Sequence, residues 1–506
     1  MAVLASARPP VPMAMADPDG DVDRISALPD DLLNLVLSFV RDAKAVTRTA
    51  ALSRRWRRVW IYAQQLALLG TQVRPGADPG QFVDWVLAQR GDADIGSLNI
   101  SMSSRSSLVY TSQEKVNGWL RYAMQRVVKS FRLDLPNPRH IMFRPWPPLR
   151  VDGPAVVLPD RGRMTSIEMF LPSCYSFQLP VAASAKYEAL TDLTLCSASF
   201  FDGESSAGGG RTLGDFVSSS CCPRLRKLEI SSIKGLAQLA IRSETLERFE
   251  LESANDLRVL DVTAPNLRVL ELHDDCFDDE SNNKIRIVSS RLQEIRIRHE
   301  SRHRRPYLVI HNLTSVCRLD LELNMHGQYY VRSTDVGFWL LEKCPSVEHV
   351  RVWLDHLRSP PSSVIEGDIV VDLTVEGAAP FASVRSMDIT VSAHQLQDCQ
   401  LVPSIFALLL RCPRLRSLRI NIKDDTASWV SFFKLKLYLI TSYFPWKTQR
   451  TPIYIERVHY YCKLLNTPCF VSLLRFFIYR REVGRAPSVM SISIHGQITG
   501  RSPWNH

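Results

Sequence analysis

The stretch "LRKLEISSIKGLAQLAIRSETLERFELESANDLRVLDVTAPNLRVLEL", residues 225–272, repeats one short pattern five times. Each copy reads apolar-x-x-apolar-x-apolar, and the copies begin alternately eleven and ten residues apart, at Leu225, Leu236, Leu246, Leu257 and Leu267. Every other copy therefore returns after 21 residues, a spacing typical of proteins built from stacked repeats. The alternation of apolar and polar positions predicts a short strand with one buried face in each copy.

The same pattern continues on both sides of this stretch. It recurs downstream as "LQEIRI", "VCRLDL", "VEHVRV", "VRSMDI" and "LRSLRI" from Leu292, Val316, Val347, Val384 and Leu415, and upstream as "LTDLTL" and "VKSFRL" from Leu190 and Val128. Such strands are too short to fold alone, so neighbouring units must stack to build a common core. Helical connectors are predicted at 80–90, 113–128, 210–223, 333–345 and 402–413. The predicted fold is α/β, a solenoid of short parallel strands with helices and loops over residues 80–422.

Three of the predicted connectors end in Cys-Pro, at Cys222, Cys344 and Cys412. The chain has 11 cysteines and no C-x-x-C pair. This usage favours reduced thiols that fill turns of the core, as in cytoplasmic or nuclear proteins. Metal binding by these cysteines is the alternative. It is disfavoured because they occur one per repeat, so neither a metal nor another cofactor is expected.

The N-terminal segment "LPDDLLNLVLSFV", residues 28–40, predicts a short amphipathic helix. Pro29 suits a first helical turn, and an apolar stripe follows through Leu32, Leu33, Val36, Leu37 and Val40. Asp42 and Ser53 are suited to cap two further short helices, the last of them carrying Trp56 and Trp60. Three such helices bury too little surface to be stable alone. A partner or the following domain must cover the apolar stripe.

The two halves of this segment, "ISALPDDLLNLVLSFV" and "AKAVTRTAALSRRWRRVW", resemble the F-box of plant F-box proteins over residues 24–60. Arg41 stands where that family commonly has a proline. The units at 80–422 resemble the leucine-rich repeats that follow the F-box in a large plant family with FBD-type relatives. The fold implied is an N-terminal three-helix F-box, residues 21–62, followed by a leucine-rich-repeat solenoid.

The resemblance implies that the chain is a substrate-recognition subunit of an SCF-type ubiquitin ligase and is not itself an enzyme. The F-box would bind the Skp adaptor, and through it a cullin-based ligase, while the repeats would recruit a protein substrate for ubiquitination. The residues that correspond to the adaptor-binding face are Leu28, Pro29, Leu32, Leu33, Val36 and Leu37. Those expected to hold the F-box helices together are Val46, Leu52, Trp56 and Trp60.

Residues outside these two domains give weaker signals. Residues 1–20 are rich in Ala, Pro and Asp, which predicts a disordered tail. Residues 423–506 show neither clean periodicity nor a defensible match, so they are either a degenerate FBD-like cap or unrelated sequence. The chain contains no P-loop, G-x-S-x-G, H-E-x-x-H or G-x-G-x-x-G motif, and nothing in it predicts catalysis.

The charge suggests an alternative function. The net charge is +10, and a basic run, "RIRHESRHRRP", occupies residues 296–306. A basic repeat scaffold that binds nucleic acid or acidic peptides, with the F-box-like helices as a structural cap, would use such residues. However, Arg296 and Arg298 alternate with Ile295 and Ile297, which predicts the solvent side of a strand. Nucleic acid is therefore not expected as a partner, and no apolar run reaches the length of a membrane span.

Overall fold

The computed structural model describes residues 25, 28–70, 78–102, 111–135, 155–172, 175–180, 186–200, 212–254, 256–273, 284–298, 307–326, 330–333, 335–357, 370–373, 381–392, 401–424 and 491–498. The predicted tail at 1–20 lies outside these residues, as does most of the C-terminal region from 425 onward. The described part of the chain contains no helix long and apolar enough to cross a membrane.

Most helices lie in the first quarter of the chain, and the later ones occur singly between strands. They are α1 (Asp30–Val40), α2 (Ala43–Arg48), α3 (Trp56–Val59), α4 (Pro79–Arg90), α5 (Gln113–Arg126), α6 (Leu213–Phe216), α7 (Val336–Lys343) and α8 (Leu401–Leu410). Short 3-10 turns cover Thr49–Ala51, Trp60–Tyr62 and Leu313–Ser315. Each predicted connector contains one of α4 to α8, although α6 forms only a single turn of the predicted 210–223 segment.

A long parallel sheet, here called the main sheet, runs through the molecule. Its strands in spatial order are β1 (Gln65–Leu69), β2 (Ile95–Ser101), β3 (Val127–Asp134), β5 (Ser166–Phe170), β7 (Asp192–Cys196), β9 (Lys227–Ser231), β11 (Arg248–Glu252), β13 (Val269–Leu272), β15 (Glu294–Ile297), β17 (Arg318–His326), β19 (His349–Leu357), β21 (Ser386–Ser392), β22 (Ser417–Asp424) and β23 (Ser491–Ile498). The short strands β18 (Tyr330–Arg332) and β20 (Val370–Asp372) extend it, with β18 antiparallel to both β17 and β20.

Two smaller parallel sheets are formed by the intervening strands. One contains β10 (Gln238–Arg242), β12 (Val259–Thr263), β14 (Lys284–Val288) and β16 (Tyr307–Ile310), and the other contains β4 (Val156–Val157), β6 (Ser176–Gln178) and β8 (Ser199–Phe200). This is the predicted α/β solenoid of short parallel strands, preceded by short N-terminal helices.

The two sheets explain the alternating eleven- and ten-residue spacing. Leu225, Leu246 and Leu267 lead into strands of the main sheet, whereas Leu236 and Leu257 lead into strands of the second sheet. All five side chains are buried in one continuous core. One 21-residue repeat therefore supplies a strand to each sheet, and its apolar residues fill the space between the two sheets.

The Cys-Pro connectors end against this core as predicted. The side chains of Cys222, Cys344 and Cys412 are buried. Burial raises the pKa of Cys344 to about 12, because the thiolate would lose its hydration. These cysteines pack as small apolar side chains.

The N-terminal helices cover the first edge of the main sheet. Asp42 caps α2 by accepting from the amides of Lys44 and Ala45 at 2.8 and 3.3 Å, and Ser53 accepts from the amide of Trp56 at 3.4 Å. Helix α1 ends at Arg41, whose φ is +58° and whose amide donates to the Leu37 carbonyl. Proline cannot adopt this φ, so the departure from the family pattern at this position fits the local backbone.

Strand β23 belongs to the C-terminal region that the sequence left without an assigned structure. It pairs with β22 in parallel, from Ser417 opposite Ser491 to Asp424 opposite Ile498. The strand "SISIHGQI" does alternate apolar and polar residues in its first half. At least this part of 423–506 therefore extends the main sheet.

Candidate protein-binding surfaces

Helix α1 has one wide apolar arc, and only part of this arc packs on the chain. Leu33 and Leu37 are 0 % and 2 % exposed, because α1 packs against α2, α3 and β1. The sequence placed both residues on the adaptor-binding face. The structure instead places their side chains in the core, where they are not accessible to a partner.

The side of α1 that adjoins these two residues is an exposed apolar surface, here called the α1 face. Five side chains within an arc of about 140° form it, since successive residues are about 100° apart around a helix. They are Leu32, Leu35, Val36, Phe39 and Val40, and they are 43–74 % exposed. Of the predicted binding residues, Leu32 and Val36 belong to the α1 face, Pro29 is exposed at the helix start, and Leu28 is half-buried against the core.

Sequence reasoning missed Leu35, Phe39 and Val40 as candidate binding residues. The sequence did contain a signal for these residues. The apolar arc of α1 is wider than the stripe that a helix needs to pack on one neighbouring surface. A contiguous exposed apolar surface of this kind is typical of a protein-interaction site.

Of the residues predicted to hold the F-box helices together, three are buried and one is exposed. Val46, Trp56 and Trp60 are buried. Leu52 is 68 % exposed, because it follows the 3-10 turn at Thr49–Ala51 and points away from the core. Leu52 therefore does not hold the helices together, and it adds to the exposed apolar surface of this part of the chain.

The two halves of the F-box-like motif meet through one arginine. The Arg55 side chain donates to Asp30 Oδ1, with Nη2 at 2.6 Å and Nε at 2.7 Å. The same guanidinium donates to the Leu28 carbonyl at 2.5 Å. Arg55 therefore fixes the start of α1 against the segment that leads into α3, and thereby orients the α1 face.

The helices are joined to the solenoid by a buried arginine and a pair of indoles. Arg90, at the end of α4, donates to the carbonyls of Trp60 and Asp94, each at 3.3 Å. Burial lowers the pKa of this guanidinium, but its pKa stays far above neutral, so it remains a donor. Trp60 stacks on Trp85 with ring centroids 5.9 Å apart. These contacts hold the α1 face in a fixed orientation relative to the main sheet.

A second candidate surface is the solvent face of the main sheet. Every strand turns alternate side chains away from the core, and the parallel register aligns them in rows across the sheet. One part of the central row extends from Thr194 to Arg419, with each member directly opposite the next: Thr194, Glu229, Glu250, Glu271, Arg296, Asp320, Arg351, Asp388 and Arg419.

Three glutamates lie side by side near the start of this part of the row, and Glu271 is the best paired. It accepts from Arg248 at 2.8 Å, from Arg296 at 3.1 Å and from His273 at 2.9 Å. Burial alone would raise its pKa, but the His273 hydrogen bond and the arginine charges outweigh burial and lower the pKa to about 2. Neighbouring Glu250 lies 3.7 Å from Arg248, but burial and the charges of Glu271 and Glu229 outweigh the positive charges near it and raise its pKa.

The carboxylates of Glu250 and Glu271 lie close to the His273 ring, with ligand atoms within 4.8 Å of one another. This is a possible arrangement for a cation. However, the arginines at 248 and 296 already neutralise Glu271. A cation would have to displace one of them, so the cluster is explained by its ion pairs.

The basic residues at the start of the 296–306 run lie where the alternation predicted. Arg296 is on the solvent side of β15, and the buried Ile295 and Ile297 flank it. Arg298 donates to Asp320 at 3.2 Å and lies over the Trp353 ring, 4.7 Å from its centroid. The remainder of the run, 299–306, lies outside the described residues.

Comparison with known proteins identifies relatives of the repeat region. The family described as "At1g61320/AtMIF1, LRR domain" matches residues 86–322. "F-box/LRR-repeat protein 25" of Arabidopsis thaliana is 26 % identical over 255 residues, which are 50 % of this chain and 86 % of that protein. "F-box/FBD/LRR-repeat protein At5g56420" of the same plant is 26 % identical over 253 residues, 50 % of this chain and 49 % of the relative.

A shorter match is more similar in sequence. "FBD-associated F-box protein At5g18780" of Arabidopsis thaliana is 41 % identical over 71 residues, 14 % of this chain and 16 % of the relative. The chain thus spans most of the first relative, about half of the second and a small part of the third. These matches confirm the resemblance to plant F-box and leucine-rich-repeat proteins.

Proposed function

We propose that this chain, a relative of the plant F-box/LRR-repeat proteins, is the substrate-recognition subunit of an SCF-type ubiquitin ligase. Its F-box binds the Skp adaptor, and its repeats recruit a target protein for ubiquitination. The chain itself forms and breaks no covalent bond. Its contribution is proximity, since a tethered target is modified in an effectively intramolecular step. We place this activity in the cytoplasm or the nucleus.

The exposed α1 face is the observation that carries the proposal. Fully burying an exposed side chain of this kind is worth roughly 1.5–3 kcal/mol. Because these five side chains are 43–74 % exposed, each would contribute part of that amount before the costs of association. Leu33 and Leu37 support binding indirectly, because they anchor the helix that displays Leu32, Val36 and Phe39. The revised binding surface is therefore the α1 face together with Pro29.

The fixed junction supports the second half of the proposal. Arg90 and the Trp60–Trp85 stack hold the helices on the first edge of the main sheet. A target bound to the solenoid would then be presented at a defined position relative to the adaptor. A freely jointed connection would reduce the effective concentration of the target at the site of transfer.

A pull-down of the full chain with a purified plant Skp adaptor tests the proposal. The informative variant is Leu32→Asp with Phe39→Asp, because both side chains are exposed and the chain should still fold. Each carboxylate would be buried without a partner in the complex, which is strongly unfavourable. The matched control is Val128→Asp with Val157→Asp, two exposed apolar side chains on strands β3 and β4.

We expect the wild type and the control to retain the adaptor and the α1-face variant to lose it. Circular dichroism would establish that all three proteins are folded. Failure of the folded wild type to bind the adaptor would contradict the proposal. Undiminished binding by the α1-face variant would place the adaptor elsewhere on the chain.

A further inference from the structure

The half of the solvent face formed by strands β17 to β22 exposes arginines. The residues, here called the arginine surface, lie on these strands, at their starts or on the adjacent end of β15. They are Arg298, Arg318, Arg351, Arg385, Arg416 and Arg419. The side chains of Arg351, Arg385 and Arg419 are each about half exposed, at 50–52 %.

The carboxylates of the same row lie beneath these arginines. Asp320 is 5 % exposed and accepts from both Arg298 and Arg351, at 3.2 and 3.1 Å. Asp388 is 22 % exposed and lies 4.0 Å from Arg351 and 3.7 Å from Arg419. Each carboxylate thus lies between two arginines and orients them. Asp320 and Asp388 are covered whereas the guanidinium groups are not, and Glu348, at 43 % exposure, is the exposed carboxylate beside Arg385; with six arginines around these three carboxylates, the net charge presented to a partner is positive.

The guanidinium groups keep donors available for a ligand. Arg351 makes its hydrogen bond to Asp320 through one nitrogen, Nη1. Arg419 approaches Asp388 no closer than 3.7 Å, and Arg385 approaches Glu348 no closer than 3.5 Å. A guanidinium has five N–H donors in a planar fork that matches a carboxylate. Arg351 and Arg419 can therefore each bind one further carboxylate in a bidentate manner.

The strand register determines how far apart the carboxylates of such a ligand must be. Arg351 faces Asp388 and Asp388 faces Arg419, so the two arginines are two strands apart. Strands are about 4.8 Å apart, which separates the arginines by about 10 Å. An extended chain covers that distance in about three residues. Acidic side chains at short intervals along an extended segment would therefore meet successive arginines.

We propose that the arginine surface binds an acidic, extended segment of the protein that the solenoid recruits. This inference rests on the proposed substrate-receptor function and names the chemical class of the substrate. The segment crosses strands β17 to β22, and the glutamates of β9, β11 and β13 in the central row disfavour its extension in the other direction. Glu229, Glu250 and Glu271 occupy those positions.

A protein segment fits this surface better than single-stranded nucleic acid does. Nucleic-acid grooves combine basic residues with aromatic rings on which bases stack. The described solvent-face residues of β17 to β22 include two large aromatic residues, Trp353, whose ring Arg298 covers at 4.7 Å, and the exposed Tyr330 at the far end of β18, so they offer no row of rings for successive bases. The arginine surface otherwise presents guanidinium groups at regular spacing, and their N–H donors match carboxylates.

Fluorescence anisotropy with a labelled poly-glutamate peptide tests the inference on the full chain. The variant is Arg351→Gln with Arg419→Gln, and the control is Arg121→Gln with Arg161→Gln, two exposed arginines away from the arginine surface. Loss of two charge-assisted contacts should weaken binding about ten-fold or more. The control should bind as the wild type does. A second variant, Arg385→Glu with Arg416→Glu, leaves Asp320 and Asp388 paired and should also weaken binding.

Adaptor binding is measured on the same protein preparations. The inference and the proposed function can therefore fail independently of each other. Adaptor binding with no affinity for poly-glutamate would overturn this inference alone. Equal poly-glutamate binding by the wild type and by the folded variants would also overturn it. Tighter binding of a single-stranded oligonucleotide than of poly-glutamate would overturn it in favour of a nucleic-acid ligand. Loss of adaptor binding alone would overturn the receptor function on which the inference rests.

Discussion

The amide of Ala67 donates a hydrogen bond of 2.6 Å to the carbonyl of Arg41, and this bond connects the N-terminal helices to the edge of the main sheet. It comes directly after α1 and reaches the middle of β1, where Asp42 and Ala67 form a parallel bridge. The edge strand of a sheet otherwise exposes unpaired amides and carbonyls. The helices thus cover the first edge of the solenoid while their own α1 face stays open.

We expect replacement of Arg41 by glycine to preserve stability and replacement by proline to reduce it. With φ at +58°, the residue is in a region that costs a non-glycine residue roughly 1–2 kcal/mol. Arg41→Gly should therefore be at least as stable as the wild type. Arg41→Pro loses the hydrogen bond to Leu37 and cannot adopt this φ, so it should lose about 3 kcal/mol. Denaturant unfolding of the wild type and the two variants measures their free energies of unfolding. A proline variant as stable as the wild type would contradict the positive φ of Arg41 at the end of α1.

Leu32 and Leu33 are neighbours in sequence with opposite predicted effects. Leu33→Ala removes a fully buried side chain and should cost about 2–5 kcal/mol of stability. Leu32→Ala changes an exposed side chain, so it should shift stability by less than about 0.5 kcal/mol and weaken adaptor binding instead. Guanidinium unfolding followed by tryptophan fluorescence reports the first effect, and titration with the adaptor reports the second. The reverse assignment of effects would contradict the orientation of α1.

Arg90 should contribute to stability through its hydrogen bonds. Arg90→Met keeps the apolar stem but leaves the carbonyls of Trp60 and Asp94 without their donor, which should cost about 1–3 kcal/mol. Arg121→Met, on the exposed side of α5, is the matched control and should be near neutral. Chemical unfolding measures both. A neutral Arg90→Met variant would show that the junction does not depend on this side chain.

The ion pair between Glu271 and His273 should give the chain a defined pH dependence. The folded pKa of Glu271 is lowered to about 2 from 4.5, so its contribution is complete above pH 4.5 and is lost as the pH falls toward 2. The hydrogen bond to Glu271 raises the pKa of His273 above 6.5, so its contribution is complete below pH 6.5 and is lost as the pH rises through the folded pKa. This pair should therefore stabilise the fold most between these limits.

Thermal unfolding from acid to alkaline pH measures that dependence. Glu271→Gln should flatten the acid side of the profile, and His273→Gln should flatten the side above pH 6.5. An unchanged profile in both variants would show that the pair does not stabilise the folded state.

Cys344 should resist alkylation in the folded chain. Burial raises its pKa to about 12, so almost no thiolate is present at neutral pH. Cys317 is half-exposed and should react first with iodoacetamide. Mass spectrometry of the peptides after timed labelling gives the two rates. Equal rates in the folded protein would contradict the burial of Cys344, whereas equal rates in denaturant are expected.

The repeats and the connecting helices could be predicted from periodicity because each copy carries its own apolar pattern. The pattern could not show that Leu225 and Leu236 lead into strands of different sheets, since both copies read alike. Likewise, the stripe on α1 showed that the helix is amphipathic, but not that Leu33 packs inward while Leu32 faces the solvent. Which side of a wide apolar arc is covered depends on how the helix docks on β1.

The arginine surface could not be found from sequence either. Arg351, Asp388 and Arg419 belong to three different repeats, and only the strand register brings them together. Sequence reasoning found a basic cluster that is contiguous in the chain, at 296–306, and it placed Arg296 and Arg298 correctly on the solvent side. Charges that converge from separate repeats give no local signal.

Calorimetric titration of the full chain with a purified Skp adaptor measures adaptor binding through helix α1. The α1 face predicts one adaptor per chain, a negative heat-capacity change from apolar burial, and an affinity that changes little with salt. The Leu32→Asp, Phe39→Asp protein should give no heat of binding. Absence of binding by the folded wild type, or an affinity that falls steeply with salt, would contradict adaptor recognition through this helix.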